Sequence, residues 1–249
     1  MLWRSTTLIG SGIRARDGEI GSIADLLFDE TDWTVRWVLV DTGTWLTGRR
    51  VLLPPSCFGA PGGVTLEYPV DLTRKQVEES PEIDFDAPVS RQLESRVYSH
   101  YGWTPYWNLG YAPPFAAPGL LPTTGQAPPA PEPRQEPSGD PHLRSAREVT
   151  GYYVQATDGD IGHVEEFLVD DESWVIRYAM IDTANWWPAR KVLLSPRSFR
   201  EIDWATQKVR VDVTREQVKA SPEYDPSTTL QRDHEARLHA HYGVAPYWS

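Results

Sequence analysis

One cysteine, Cys57, is all the chain contains, so no intramolecular disulfide framework can hold the fold together. Basic residues are in deficit: 24 Lys and Arg stand against 35 Asp and Glu, a formal net charge of −11. The acid excess runs through both halves. Such a field repels phosphate backbones unless Lys and Arg cluster locally, which disfavours direct contact with nucleic acid. No apolar run approaches the ~20 residues of a membrane-spanning helix, and the opening Met1-Leu2-Trp3-Arg4 lacks the pattern of a signal peptide; a cytoplasmic location is expected, with peripheral membrane association left open. Phosphate-cradling glycine loops are missing too. Gly10-x-Gly12 has no third glycine or following helix, and Gly62-Gly63 has no counterpart at Asp203-Trp204. No cofactor is expected.

Proline and tryptophan are abundant, at 22 and 11 residues. Sliding the sequence by 141 positions aligns residues 10–108 with 151–249 without a gap, and roughly two positions in five are identical. Asp17-Gly18-Glu19-Ile20-Gly21 meets Asp158-Gly159-Asp160-Ile161-Gly162, and His100-Tyr101-Gly102 meets His241-Tyr242-Gly243. The chain reads as two copies of one small domain, residues 1–110 and 147–249, joined by a proline-rich linker over 111–146. Proline, glycine and small polar residues in that linker favour an extended, partly polyproline-like spacer.

Each copy reads as mainly β, with short helices after the strands. Residues 12–16 and 19–28 flank Asp17-Gly18, a hairpin signal of type I′. Val35-Arg36-Trp37-Val38-Leu39-Val40 predicts a central strand buried on both faces. Residues 49–53 and 64–70 predict two more strands, and so many short strands favour a small closed barrel. Residues 71–78 predict a capped helical turn. Leu93, Val97 and Tyr101 at i, i+4 and i+8 predict a second helix over Arg91–Tyr101; His234, Leu238 and Tyr242 make a less apolar face in the second copy.

The run Asp17-Gly18-x-Ile20-Gly21-x-Ile23-x-Asp25-Leu26-Leu27-x-Asp29, then Val35-Arg36-x-Val38-Leu39-Val40-Asp41, then Val51-Leu52-x-Pro54, resembles the PRC-barrel family. Asp158-Gly159-x-Ile161-Gly162-x-Val164-x-Glu166, Arg177, Ile181-Asp182 and Val192-Leu193-Leu194 repeat it. The Tyr-Gly-x-x-Pro-Tyr-Trp tails are similar to those of stand-alone bacterial members. The resemblance implies a six-stranded barrel, found elsewhere as the cytoplasmic domain of the photosynthetic reaction-centre H subunit and as the C-terminal domain of a ribosome maturation factor. Neither role is enzymatic.

No catalytic or metal constellation stands out. Asp25, Asp29, Glu165, Glu166, Asp170 and Asp171 read as solvated strand ends and turns. His239 and His241 lie too far apart around a helix to share a metal, and His100 and His241 read as caps near a helix-ending glycine. Cys57 aligns with Ser198 and reads as filler. The tryptophans are too many for two small interiors, which makes Trp45, Trp186, Tyr106, Trp107, Tyr247 and Trp248 the candidate interface; the tails' alternative role is to pin onto their own barrel. Arg36, Asp41, Arg49, Arg177, Asp182 and Arg190 are candidate structural ion pairs, such as Arg49 with Asp41. The function expected is a non-catalytic tandem adaptor, its two copies packed on each other and its protein partner unknown. The alternatives are an accessory to membrane electron transfer, like the reaction-centre H subunit, and a ribosome-associated factor that binds a basic ribosomal protein.

Overall fold

A computed structural model describes residues 1–46, 48–62, 66–81, 91–105, 142–183 and 190–248, apart from the side chains of 91–93. The first half runs β1 (Leu2–Arg4), α1 (Ser5–Leu8), β2 (Gly12–Ala15), β3 (Gly18–Asp29), β4 (Val35–Asp41), β5 (Arg50–Leu53), β6 (Glu67–Pro69), α2 (Arg74–Glu78) and α3 (Arg91–Tyr101). The second runs β7 (Leu143–Ser145), α4 (Ala146–Val149), β8 (Tyr153–Ala156), β9 (Gly159–Asp170), β10 (Ile176–Asp182), β11 (Lys191–Leu194), β12 (Phe199–Asp203), β13 (Lys208–Val211), α5 (Arg215–Ala220) and α6 (Arg232–Tyr242). Residues 143–146, placed in the linker by composition, are instead strand and helix, because Leu143 and Ala146 have a buried surface to join. No helix among the described residues is long and apolar enough to cross a membrane.

The fold is mainly β and holds two sheets, one in the order β5-β4-β3-β2-β6 and the other β11-β10-β9-β8-β13-β12. Neither path returns to its first strand among the described residues, so the expected closure is not seen. Pro54-Pro55 and Ser195-Pro196 follow β5 and β11, and each lead-in passes into a 3₁₀ turn, Pro55–Cys57 or Pro196–Ser198. Proline offers no N–H to carry the ladder on. The β4 strand is internal, between β5 and β3 but not at the centre of the sheet as expected, with Val38 and Val40 in the main core and Trp37 and Leu39 on the opposite face under α3.

The β2–β3 hairpin forms one residue away from the expected turn. Ala15 pairs with Gly18, leaving Arg16-Asp17 as the connection, and of these positions only Gly18 has positive φ, at 147°. The Asp17 carboxylate accepts the Arg74 backbone N–H at 2.8 Å, which ties the turn to the first residue of α2; Asp158 and Arg215 repeat the bond at 2.8 Å. The helices α2 and α5 start at Thr73 and Thr214, each with a reciprocal capping box to Gln76 or Gln217.

Two glycines fix how closely the long strands cross their neighbours. Gly21 has φ 131°, and a Cβ there would lie 2.0 Å from the Asp41 carbonyl oxygen; at Gly162 the separation from that of Asp182 would be 1.9 Å. Both obstacles are backbone and cannot swing aside. Gly21→Ala is expected to cost about 3 kcal/mol or more, whereas Gly48→Ala, where a Cβ meets nothing within 4 Å, should cost only about 1 kcal/mol from its positive φ. Urea unfolding of the two variants checks the contrast.

Candidate interaction surface at the junction of the halves

Each half gives its first strand to the other half's sheet. The β1 strand pairs antiparallel with β9 (Leu2 with Asp170, Trp3 with Val169, Arg4 with Leu168), and β7 pairs with β3 (Leu143 with Asp29, Arg144 with Phe28, Ser145 with Leu27). The two registers are the same once positions are shifted by 141. Each borrowed strand lies along the edge of β9 or β3 that faces away from β10 or β4, beyond the end of β8 or β2.

Buried carboxylates hold these arms. The β3–β4 register slips between Ile23 and Asp25, and the β9–β10 register between Val164 and Glu166. A bulge of one residue re-aims the side chains beyond it, so Leu26 and Phe167 rejoin Ile23 and Val164 in the main core while Asp25 and Glu166 turn toward the incoming arm. Asp25, 7% exposed, accepts the Leu26 N–H at 2.7 Å, the Arg147 N–H at 3.1 Å and the Ser145 hydroxyl. Burial pushes its carboxyl above the usual carboxylate range, against the pull of those hydrogen bonds. Glu166, 1% exposed, accepts Arg4 Nε at 2.6 Å and the Thr6 hydroxyl at 2.5 Å, while Ser5 Oγ accepts the Phe167 N–H at 3.0 Å. A second pair of contacts lies at the strand ends: Arg144 donates to both oxygens of Glu30 at 2.8 and 2.6 Å, and Trp3 Nε1 donates to Asp171 at 2.9 Å. Asp25, Glu166 and Asp171 are thus junction groups and not the solvated acids expected from the sequence. Their shared register, acid against acid at 25 and 166, was the available signal.

Two tryptophans lock the halves from the other side. Trp33 and Trp174 sit at φ 61° and 53° in the β3–β4 and β9–β10 turns, where a bulky residue is strained. Trp33 packs edge-on against Phe199 at 4.8 Å and near Phe167 at 6.2 Å; Trp174 packs against Phe58 at 5.3 Å and Tyr68 at 6.1 Å. The backbone crosses with them: Val35 N–H donates to Trp174 O and Ile176 N–H to Trp33 O, both at 2.8 Å. One core cluster therefore runs through both halves. The strained turns persist because this packing over-determines them.

Of the arginines expected in structural ion pairs, Arg36, Arg177 and Arg190 meet carboxylates and, among the described residues, Arg49 does not. Arg36 bonds Asp29 and Asp32, and Arg177 bonds Asp170 and Ser173, closing the turns that carry the tryptophans. Arg49 does not meet Asp41; its guanidinium donates to the carbonyls of Glu78 and Ser80, as Arg190 does to Lys219 and Ser221. Both tie β5 or β11 to the end of a short helix whose last carbonyls need donors. Asp41 accepts the Gly43 N–H, and Asp182 pairs with Lys191 at 2.8 Å. His100 and His241 reach across to the carbonyls of Gln76 and Gln217, at 2.9 and 2.7 Å, and so pin α3 to α2 and α6 to α5 rather than capping their own helices.

Of the aromatic candidates, Trp186, Tyr106 and Trp107 lie outside the described residues. Trp45 is half-buried against the main core, with Arg74 over its ring at 4.5 Å. Tyr247 and Trp248 fold onto α6. The Tyr247 hydroxyl donates to Glu235 at 2.7 Å under the Arg177 guanidinium, and Trp248 stands edge-on to His239 at 5.1 Å, still 38% exposed. Beneath this tail lies a buried polar cluster that the sequence did not reveal: Tyr178 donates to Glu235 at 3.1 Å and contacts His239 Nε2 at 2.9 Å. At the matching first-half positions, Trp37 Nε1 donates to Glu94 at 2.6 Å, with the Tyr98 ring tilted against Trp37 at 4.9 Å. Burial pushes the Cys57 thiol up, which suits a filler.

Between the halves a crevice of about 410 Å³ opens beside Trp33, bounded by Asp32, Arg177, Arg197, Phe199, His239 and Tyr247. A second hollow of about 340 Å³ continues from Trp33 and Phe199 to Arg144 and Arg200. Arg197 is exposed, and among the described residues its guanidinium donates to the Ala245 carbonyl at 2.8 Å and meets no carboxylate. The positions 141 lower than Arg144, Arg197 and Arg200 hold Trp3, Ser56 and Gly59.

Residues 4–64 match the family model of the PRC-barrel domain. No curated protein matches the chain.

Trp33→Ala is expected to cost about 3–5 kcal/mol of stability, a core-sized loss from a turn residue, measured by denaturant unfolding. His239 gives a pH dependence. Burial, the leading cause, lowers its pKa from 6.5, with Arg197 assisting and Glu235 opposing. The folded state thus favours the neutral ring, and its stabilisation is present above pH about 6.5 and lost as pH falls through the depressed value. His239→Tyr, which copies Tyr98, should flatten that part of the stability–pH curve, and the His239 ring protons should titrate below 6.5 by NMR.

Proposed function

We propose that this PRC-barrel protein is a non-catalytic adaptor, in which two PRC-type barrels related by internal duplication are fused into one rigid body that offers a protein-binding crevice. A PRC-barrel domain is a non-enzymatic module, and the match over residues 4–64 begins inside the arm that the first half gives away. The observation that carries the reading is the crevice itself. The shared core and exchanged arms hold Trp33, Arg197 and Tyr247 around one opening without needing a partner to assemble it. An aromatic wall beside a guanidinium with no carboxylate partner suits a protein segment bearing a carboxylate, since arginine and aromatic side chains dominate binding hot spots.

Affinity capture from the native organism tests this with wild-type, Arg197→Glu and Tyr247→Ala baits, and Arg16→Ala as a distant control. A partner retained by wild type and control but reduced at least ten-fold by both crevice variants is expected. Ribosomal or membrane proteins held equally by all four baits would replace the adaptor reading with one of those assemblies.

A further inference from the structure

We propose that the arms carry a pairing code: each half accepts the arm of the other half and discriminates against an arm like its own. This rests on the arm contacts alone and not on the crevice. The two arm sites are equivalent in register but differ in side-chain size. In one, a long cation meets a long carboxylate, Arg4 with Glu166; in the other a short hydroxyl meets a short carboxylate, Ser145 with Asp25. Both carboxylates are buried, at 1% and 7% exposure.

Exchanging partners breaks both fits. Were two second halves to pair, Ser145 would replace Arg4 and Arg147 would replace Thr6, so Glu166 would lose both fitted donors and face a guanidinium where a short hydroxyl now sits. Ala146 would replace Ser5 and strip the Phe167 N–H of its acceptor. A buried carboxylate whose fitted donors are replaced and an orphaned N–H are both unfavourable. Were two first halves to pair, the Arg4 guanidinium would have to enter the space beside Asp25 now filled by the Ser145 hydroxyl and the Arg147 backbone. The tryptophan plugs do not discriminate, because Trp33 and Trp174 meet aromatic residues in either combination. The specificity is read at positions 4 and 145 against 166 and 25, joined at the strand ends by 3 and 144 against 171 and 30, a mutual arrangement that also bars a foreign copy's like half from displacing the native arm.

Two measurements on the full chain test the code. In the first, Arg4→Ser lowers the urea midpoint, and adding Glu166→Asp, which copies the Ser145–Asp25 site, returns most of that shift. A double variant as unstable as the sum of its single changes would overturn the code. In the second, a protease site placed within residues 111–141 is cut after folding, and the mixed halves are unfolded, refolded together and read by native mass spectrometry. The mixed dimer is expected in at least ten-fold excess over either like dimer. The same cut made in the Arg4→Ser/Glu166→Asp chain should relax toward a statistical mixture. A statistical mixture from the wild-type chain, or halves that separate on cutting, would overturn the proposal.

Discussion

Everything at the junction turns on two buried carboxylates, Asp25 and Glu166. Asp25 and Glu166 lie in the sheets, but the groups that satisfy them, Ser145 and the Arg147 N–H for one, Arg4 and Thr6 for the other, arrive on arms from the opposite half. A buried carboxylate deprived of its donors is costly, so each sheet needs its borrowed arm. The dependence runs the other way as well. An arm of three strand residues and a four-residue helix cannot hold its own shape; it acquires a strand partner and a core only by docking. Neither half can shed the other without exposing a charge in the interior, and the single core cluster spanning both is the consequence.

Local features of the fold were legible because they are written in neighbouring residues. Thr73 with Gln76 announces a capping box, the apolar run from Val35 to Val40 announces a strand buried on both faces, and the 141-residue offset announces matching halves. What escaped was set by distant partners. Leu2–Arg4 pairs with residues more than 160 positions away, and no periodicity in three residues can point there. The acids were misread for a related reason: strict alternation puts residues 23 and 25 on one face, and only the slipped β3–β4 register shows that Asp25 has been turned to the other. Trp33 and Trp174 were visible as aromatic residues, yet nothing in a turn sequence says that the turn is inserted into another core.

The outer layer shows how one position can do the same structural work with different chemistry. Glu94 and Glu235 both project from a covering helix onto an internal strand and both are buried, but one accepts an indole N–H and the other a phenol that also contacts an imidazole. Among the described residues, the first places the Tyr98 ring rather than an imidazole beside Trp37. The second places His239 under the Tyr247–Trp248 tail, so the attachment of that tail becomes sensitive to protons.

That divergence changes how matching positions should be weighed. A residue that seats one half on the other is constrained by its partner, and the contact recurs 141 positions later: Trp33 with Trp174, Asp25 with Glu166. The contact recurs at the junction even where the side chains differ, as Arg4 and Ser145 do. A partner from outside meets a body whose two faces no longer need to agree, and there the halves differ: Arg197 against Ser56, Arg200 against Gly59, His239 against Tyr98. Those three differences lie at the crevice beside Trp33 and the hollow next to it. On the adaptor reading proposed above, the face where the halves differ is the one on which a partner would be chosen.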